Sequence, residues 1–293
     1  MRPALRVLLL LFLSVVVTLP ALAQEAADTD SLLAMPGMPE VVIRAENGEL
    51  EIPSNLRSAR TLIRFDNATD RTLHPLLLRL PADIGVERAL GDLQSGVNGP
   101  PGWLLDATYP GFVGETPSGR TSYAVIDLVA GDYVLVANDV ISFEVTGASS
   151  IPPAQQMPAA DVEARVFDHS FSFPLRIEPG RQVWAITNTG NETHEIVLAW
   201  SPDVMTTDEM VAAMGLDGEG TPPEGLTPPV TIGGMGWLSP GETAWTELDL
   251  APGSYLVLCL VYDPDIRATH FERGMVDSFT IAPGTPEAAT PEG

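Results

Sequence analysis

The chain has 293 residues, of which 45% are hydrophobic, so it is long enough for two domains of ordinary size with buried cores. Its formal net charge is -24, and all 15 basic residues are arginine. Such an acidic surface argues against nucleic acid or an anionic membrane as a partner. The 26 glycines and 27 prolines separate short apolar runs, which favours an all-β protein with many turns.

The N-terminus has the features of a targeting segment. Arg2 and Arg6 precede an apolar run over residues 7–19, and residues 21–23 (Ala-Leu-Ala) form a small-x-small cleavage site. The run is too short to span a bilayer comfortably. We therefore predict a signal peptide over residues 1–23 and an exported protein, periplasmic or extracellular, with no stable membrane insertion after cleavage. Retention as an uncleaved anchor is the alternative.

The rest of the chain repeats itself. Residues 128–137 align with residues 250–259, and residues 141–145 align with residues 277–281. The second copy carries an insertion between these two stretches. A small, Pro-rich linker separates the copies. The predicted organisation is a disordered leader (24–38), a first domain (39–147), the linker (148–160), a second domain (161–282) and a disordered tail (283–293).

Each half is predicted to be a Greek-key β-sandwich, because short apolar strands alternate with Pro-Gly turns. One short helix is expected in the second half at residues 207–214, where Asp208 and Glu209 favour the N-terminal end. Its methionines are interpreted as packing residues. The glycines of residues 233–236 are interpreted as preceding a strand. The strands predicted for the second half are 162–167, 171–177, 182–188, 194–200, 243–248, 253–261 and 275–281.

Near the end of the chain, the only cysteine of the sequence is followed by a histidine and a methionine. Cys259 ends an apolar strand, His270 and Met275 follow at short range, and His194 lies upstream. A single cysteine cannot form an internal disulfide, and a free exported thiol is liable to oxidation unless it is buried or bound to metal. One thiolate, two imidazoles and one thioether are the ligand set of a mononuclear blue-copper site.

The second half resembles the plastocyanin/azurin group of blue-copper proteins, the cupredoxins. The resemblance rests on Gly253-x-Tyr255-x-x-x-Cys259…His270…Met275 and on an upstream Asn…His194 element. It implies one copper ion per chain, with His194, Cys259 and His270 as equatorial ligands and Met275 as the axial ligand. It also implies that the exposed edge of His270 is the electron port.

Two details depart from the family pattern. The spacing from Cys259 to His270 is longer than in small plastocyanin-like proteins and nearer that of copper nitrite reductases. Glu195 stands where many relatives have an Asn that orders the cysteine loop, which leaves the support of this loop open. The first half has Ala137 in place of the cysteine and is interpreted as a degenerate, copper-free copy. Metal binding by its His74 across the domain interface is the alternative.

The leading functional interpretation is a one-electron carrier and not an enzyme. Multicopper catalysis consumes many histidines, and this chain has four, with no His-x-His pair. Copper sequestration or delivery and a metal-free binding module are the alternatives. The expected partner is a redox protein, and the acidic charge suits a basic one, although solubility alone is another reading of that charge.

Overall fold

The computed structural model of the protein describes residues 31–95, 100–152, 155–217, 225, 227–263 and 266–283. The predicted signal peptide lies outside the described residues, as does the tail beyond residue 283. Within the described part of the chain, no helix is both long enough and apolar enough to span a membrane.

The described residues form eighteen strands and two α-helices, so the all-β prediction is confirmed. The first half contains β1 (Glu40–Glu46), β2 (Glu49–Glu51), β3 (Leu56–Arg57), β4 (Ala59–Asn67), β5 (Leu76–Arg79), α1 (Val86–Ser95), a 3₁₀ helix (Gly102–Asp106), β6 (Thr121–Leu128), β7 (Gly131–Val136) and β8 (Val140–Thr146). The second half contains β9 (Val162–Phe167), β10 (Ser170–Ser172), β11 (Gly180–Asn188), β12 (His194–Ser201), α2 (Thr207–Ala213), β13 (Val230–Leu238), β14 (Thr243–Leu250), β15 (Gly253–Leu258), β16 (Tyr262–Asp263), β17 (Ala268–Thr269) and β18 (Val276–Ile281).

One long sheet runs through both halves, in the order β10-β9-β11-β14-β6-β4-β1-β2. Each half adds a four-stranded sheet, β3-β8-β7-β5 in the first and β13-β12-β15-β18 in the second. The main hydrophobic core lies between these layers and draws on both halves. In β9, for example, buried and exposed residues alternate strictly, as they do in a strand with one face on a core.

The halves repeat the same strand pairings and the same side-chain contacts. β4 pairs in parallel with β1, and β11 pairs in parallel with β9. Tyr133 stacks on Phe143 with ring centroids 5.4 Å apart, and Tyr255 stacks on Phe279 at 4.8 Å. Each tyrosine hydroxyl also donates to a carbonyl four residues earlier in the chain. The internal repeat of the sequence therefore corresponds to a repeat of packing.

The two halves are joined edge to edge. β14 pairs with β6 through Trp245 opposite Val125 and Thr246 opposite Ala124. The guanidinium of Arg60 lies 4.9 Å from the centre of the Trp245 ring. This seam makes the strands of both halves one continuous sheet. The edge of β14 is therefore paired with a strand of the first half.

Most strands predicted for the second half are confirmed with shifts of a few residues, and two predictions need correction. The expected strand at 171–177 is confined to β10. Residues 233–236 do not precede a strand but lie inside β13, which the sequence did not predict. A Cβ on Gly234 would lie 1.9 Å from the carbonyl oxygen of Ile196, so this strand can approach β12 only because it lacks side chains there.

The predicted helix in the second half is confirmed as α2, with Met214 as its C-cap residue. Thr206 and Glu209 form a reciprocal capping box at its start. Met210 is fully buried against β15, which supports the packing interpretation of the helix methionines. The first half contains an additional helix, α1, that the sequence did not predict.

Residues 31–38 differ from the predicted disordered leader. Leu33 is fully buried against Leu62, Val125, Val183 and Trp245. The Ser31 hydroxyl donates to the Glu247 carboxylate at 2.8 Å. This segment therefore packs on the long sheet at the place where the two halves meet.

Candidate metal centre

Cys259 directly follows β15 and is fully buried. Tyr255 and Val257 share its side of the strand and belong to the main core, whereas Leu256 and Leu258 pack in the cluster beneath α2. The alternation predicted for this strand is confirmed, and it directs the thiol into the interior of the sandwich.

The chain after β15 folds back so that His270 lies beside Cys259. The His270 N–H donates to the carbonyl of Val261 at 2.9 Å, and the Phe271 N–H donates to the carbonyl of Cys259 at 2.8 Å. These backbone bonds fix the loop that separates β15 from β18. The His270 side chain is consequently buried, although it belongs to a loop.

His194 begins β12 and supplies the third donor from a different strand. Its Nδ1 lies 3.1 Å from Nδ1 of His270 and 3.9 Å from Sγ of Cys259. The distance from Sγ of Cys259 to Nδ1 of His270 is 3.4 Å. The three donor atoms all lie within 4.8 Å of one another, so these residues form a group that could hold a metal ion.

Met275 lies on the same loop, immediately before β18. Its N–H donates to the carbonyl of His270 at 2.9 Å, and its carbonyl accepts from the Cys259 N–H at 3.3 Å. The side chain is fully buried. The backbone of the fourth predicted ligand thus adjoins two of the three gathered donors.

Both imidazoles are anchored at the nitrogen that faces away from the centre. Nε2 of His194 lies 3.2 Å from Oδ1 of Asp168, and Nε2 of His270 lies 3.1 Å from Oε2 of Glu192. Asp168 also accepts hydrogen bonds from the backbone and side chain of Asn191. A carboxylate partner fixes the ring orientation and directs Nδ1 toward the centre.

The protonation states favour metal binding at the imidazoles. Burial lowers the pKa of His194 and of His270, although the Asp168 carboxylate opposes this shift for His194. Neutral imidazole is the form that coordinates metal. Burial, assisted by the charge of Glu195, raises the pKa of the Cys259 thiol. The metal-free thiol is therefore protonated at neutral pH, and metal binding has to displace its proton.

The sequence did not show whether Glu195 could support the cysteine loop. In the structure, its side chain does so. Its Oε1 accepts a hydrogen bond from the N–H of Leu260, the residue after Cys259, at 2.9 Å. Burial raises the pKa of this carboxyl to about 7, against the opposing effects of the Leu260 N–H and the Trp237 indole. A buried carboxyl group thus orders the backbone of this loop directly after Cys259.

The expectation of an exposed His270 edge is wrong, because that side chain is almost completely covered. Arg273 extends over this region and pairs with Glu192 at 3.2 Å and with Asp263 at 3.1 Å. His169 contacts Arg273, and its ring packs edge-on to the ring of His270 with the ring centroids 6.1 Å apart. His270 is 2% exposed as a result.

Asp168, Glu192 and Arg273 are the residues of this region that the sequence did not predict. Asp168 and His169 lie in the turn between β9 and β10, and His169 has a positive φ of 64°. No spacing rule connects this turn with the ligand loop, because the contact arises from folding alone. The only local signal is the polar Asp-His-Ser stretch between two apolar strands.

The donor set fits copper. A thiolate with two imidazoles suits a metal that cycles between Cu(I) and Cu(II), and a thioether can complete the set as a weak axial donor. The positions of the first half that correspond to His194 and Cys259 do not bring such donors together. His74 is 60% exposed and pairs with Glu115, and Ala137 supplies no sulfur.

No protein-family model matches the chain, and no curated protein matches it. Among solved structures, the chain is similar to auracyanin from Roseiflexus castenholzii, with 23% identity over 41% of this chain and 95% of that one and a TM-score of 0.27. It is similar to auracyanin B, with 20% identity over 43% of this chain and 91% of that one and a TM-score of 0.26. It is also similar to copper nitrite reductase from Nitrosomonas europaea, with 11% identity over 84% of this chain and 94% of that one and a TM-score of 0.22. At these values the matches do not establish a family.

Proposed function

We propose that this protein is an exported one-electron carrier that holds one type 1 copper ion in its second half. His194, Cys259 and His270 are the equatorial ligands, and Met275 is the axial ligand. The observation that carries the proposal is the convergence of three buried donors, from two strands and a loop, within 4.8 Å. Copper supplies the one-electron redox chemistry when bound.

The residues of the chain keep the ligand geometry constant. His194 begins a strand in the middle of a four-stranded sheet, and Cys259 follows the adjacent strand, so both are fixed by a rigid scaffold. Asp168 and Glu192 fix the ring planes of the two imidazoles. A constant geometry keeps the reorganisation between oxidation states small, which favours fast electron transfer.

Burial supports electron transfer in preference to catalysis at the ion. The side chains of the three donors are at most 3% exposed, so a substrate has little access to the metal. Of the four histidines of the chain, only His74 and His169 remain for any further centre. His169 is already engaged by Arg273. These facts favour a carrier over a multicopper enzyme.

The outer surface of the centre supports a basic redox partner. Glu192 separates His270 from solvent, with its side chain 37% exposed, and Asp168 lies beside it at 31%. The formal net charge of the chain is -24. Acidic groups at the outlet of the centre would steer a positively charged partner toward His270, and high salt would slow the encounter.

Copper titration of the purified protein, followed by visible spectroscopy, tests the centre. We expect an intense thiolate-to-Cu(II) band at one copper per chain, absent in Cys259→Ser and lost or shifted in His194→Ala. Met275→Leu should change the reduction potential and leave a coloured site, whereas Met157→Leu, on an exposed methionine, serves as the matched control. A protein that stays colourless, with Cys259 reactive to thiol reagents, would instead favour a metal-free binding module.

Reversible electrochemistry separates a carrier from a copper-delivery protein. A carrier should cycle repeatedly between Cu(I) and Cu(II) with no loss of metal to a chelator. Release of Cu(I) on reduction would favour sequestration or delivery, since the ligand set itself is compatible with both roles.

A further inference from the structure

A polar cavity lies where the two halves meet, separate from the His–Cys–His centre. It has a volume of about 60 Å³. His74 and Glu115 of the first half line it, together with Glu195 and Trp237 of the second half. A cavity of this size can hold a few water molecules.

Glu115, which lines this cavity, has one carboxylate oxygen without a hydrogen-bond partner among the described residues. Its side chain is 8% exposed, and Oε1 lies 3.1 Å from Nε2 of His74. Oε2 is buried and has no hydrogen-bond partner among the described residues. A buried carboxylate oxygen without a partner costs free energy, so this atom requires a water molecule or a cation.

The charge around the cavity favours a cation over water alone. The lining contains two carboxyl groups and one imidazole, and it contains no arginine. The Glu195 carboxyl is already held by the Leu260 N–H, and the indole of Trp237 also donates to it. The hydrogen bond to Glu115 raises the pKa of the His74 imidazole, so a metal ion bound there has to displace the imidazole proton. Negative charge in a confined site of low dielectric raises the local concentration of cations.

The donors indicate which cation fits. One imidazole nitrogen and carboxylate oxygens, with no sulfur, suit a divalent transition metal ion such as Cu(II) or Zn(II). His74 is 60% exposed, so an ion can reach the cavity from solvent. We propose that the cavity is a second metal site, in which His74 and Glu115 coordinate a divalent transition metal ion and Glu195 contributes negative charge from the opposite half.

This site differs from the His–Cys–His centre in its chemistry and its geometry. His74, Glu115 and Glu195 do not gather their donor atoms as tightly as the three residues of that centre, which meet within 4.8 Å. With two direct protein ligands, the site should bind more weakly and exchange its ion more readily. Glu195 also connects the two sites, because the same side chain holds the residue after Cys259.

The test uses the full chain and two independent measurements. In Cu(II) titrations followed by electron paramagnetic resonance, we expect a second signal with nitrogen and oxygen ligation, separate from any thiolate-copper signal. Zn(II) titration calorimetry should show a class of sites whose affinity falls at least tenfold in His74→Ala and in Glu115→Gln. Glu115→Gln nearly preserves side-chain shape, and thermal unfolding verifies that each variant is folded. The matched control is Glu144→Gln, on an exposed carboxylate of β8.

The outcome does not depend on the proposed copper centre. A site that persists in Cys259→Ser and is lost in His74→Ala supports the proposal even if no coloured centre forms. Zn(II) and Cu(II) affinities that are unchanged in both His74→Ala and Glu115→Gln would overturn it. A wild-type protein whose only bound ions disappear in Cys259→Ser would overturn it as well, and the cavity would then contain water alone.

Discussion

Replacement of Glu195 by glutamine should change how the stability of the metal-free protein depends on pH. Burial raises the pKa of this carboxyl from 4.5 to about 7. An acid with a raised pKa holds its proton more tightly in the folded state, so the folded state loses stability as pH rises above about 4.5, and the loss is complete above about pH 7. The shift corresponds to about 3 kcal/mol at neutral pH.

Glu195→Gln removes this penalty and retains an oxygen that can accept from the Leu260 N–H. The variant should therefore gain about 3 kcal/mol relative to the wild type between pH 4.5 and about pH 8, on top of any offset that does not vary with pH. Urea unfolding of both metal-free proteins, followed by tryptophan fluorescence at several pH values, measures this difference. Comparison of the two proteins cancels the contribution of groups that titrate equally in both.

Glu144→Gln is the control, because Glu144 is exposed and lies outside the cavity. The same urea series on this variant gives the baseline for a carboxyl-to-amide change outside the cavity. A Glu195→Gln difference that stays constant within about 0.5 kcal/mol across this range would show that the carboxyl is not desolvated in the folded protein.

Four further substitutions probe the centre and the scaffold. Asp168→Asn removes the charged partner of the His194 ring and should weaken copper binding about 10–100-fold in a chelator competition; unchanged affinity would contradict the anchoring role. Gly234→Ala should lower the free energy of unfolding by more than about 2 kcal/mol, because a Cβ there meets a neighbouring carbonyl oxygen at 1.9 Å. Gly91→Ala in α1 places its Cβ in open space and should raise the free energy of unfolding by about 0.5–1 kcal/mol. Leu33→Ala should lower it by about 2–5 kcal/mol in urea unfolding, and a change below about 0.5 kcal/mol would mean that residues 31–38 do not pack on the sheet.

Strands with one polar and one apolar face could be predicted from the sequence. The glycine-containing strand β13 could not. β9 alternates buried and exposed residues along its whole length, and its predicted bounds match those of the structure. β13 was missed because Gly233, Gly234 and Gly236 are ordinarily unfavourable in strands. The reason for these glycines is the close approach of β12, which is a tertiary contact that no local pattern contains.

The ligand types of the centre could be predicted, but its surroundings could not. Cys259, His270 and Met275 are close in sequence and follow an apolar strand, so their order is informative. Asp168 reaches His194, and Arg273 of the ligand loop reaches His169, because a distant turn packs against that loop. The covering of His270 follows from these contacts, which is why the expectation of an exposed imidazole failed.

The pairing of β6 with β14 is a structural role of the first half that does not require a bound ion. A strand at the border of a sheet exposes unpaired N–H and C=O groups, which can recruit another chain. By pairing with β14, β6 occupies this border and buries Trp245 beneath Arg60. The first half therefore covers part of a strand border of the second half that would otherwise be open to pairing with another chain.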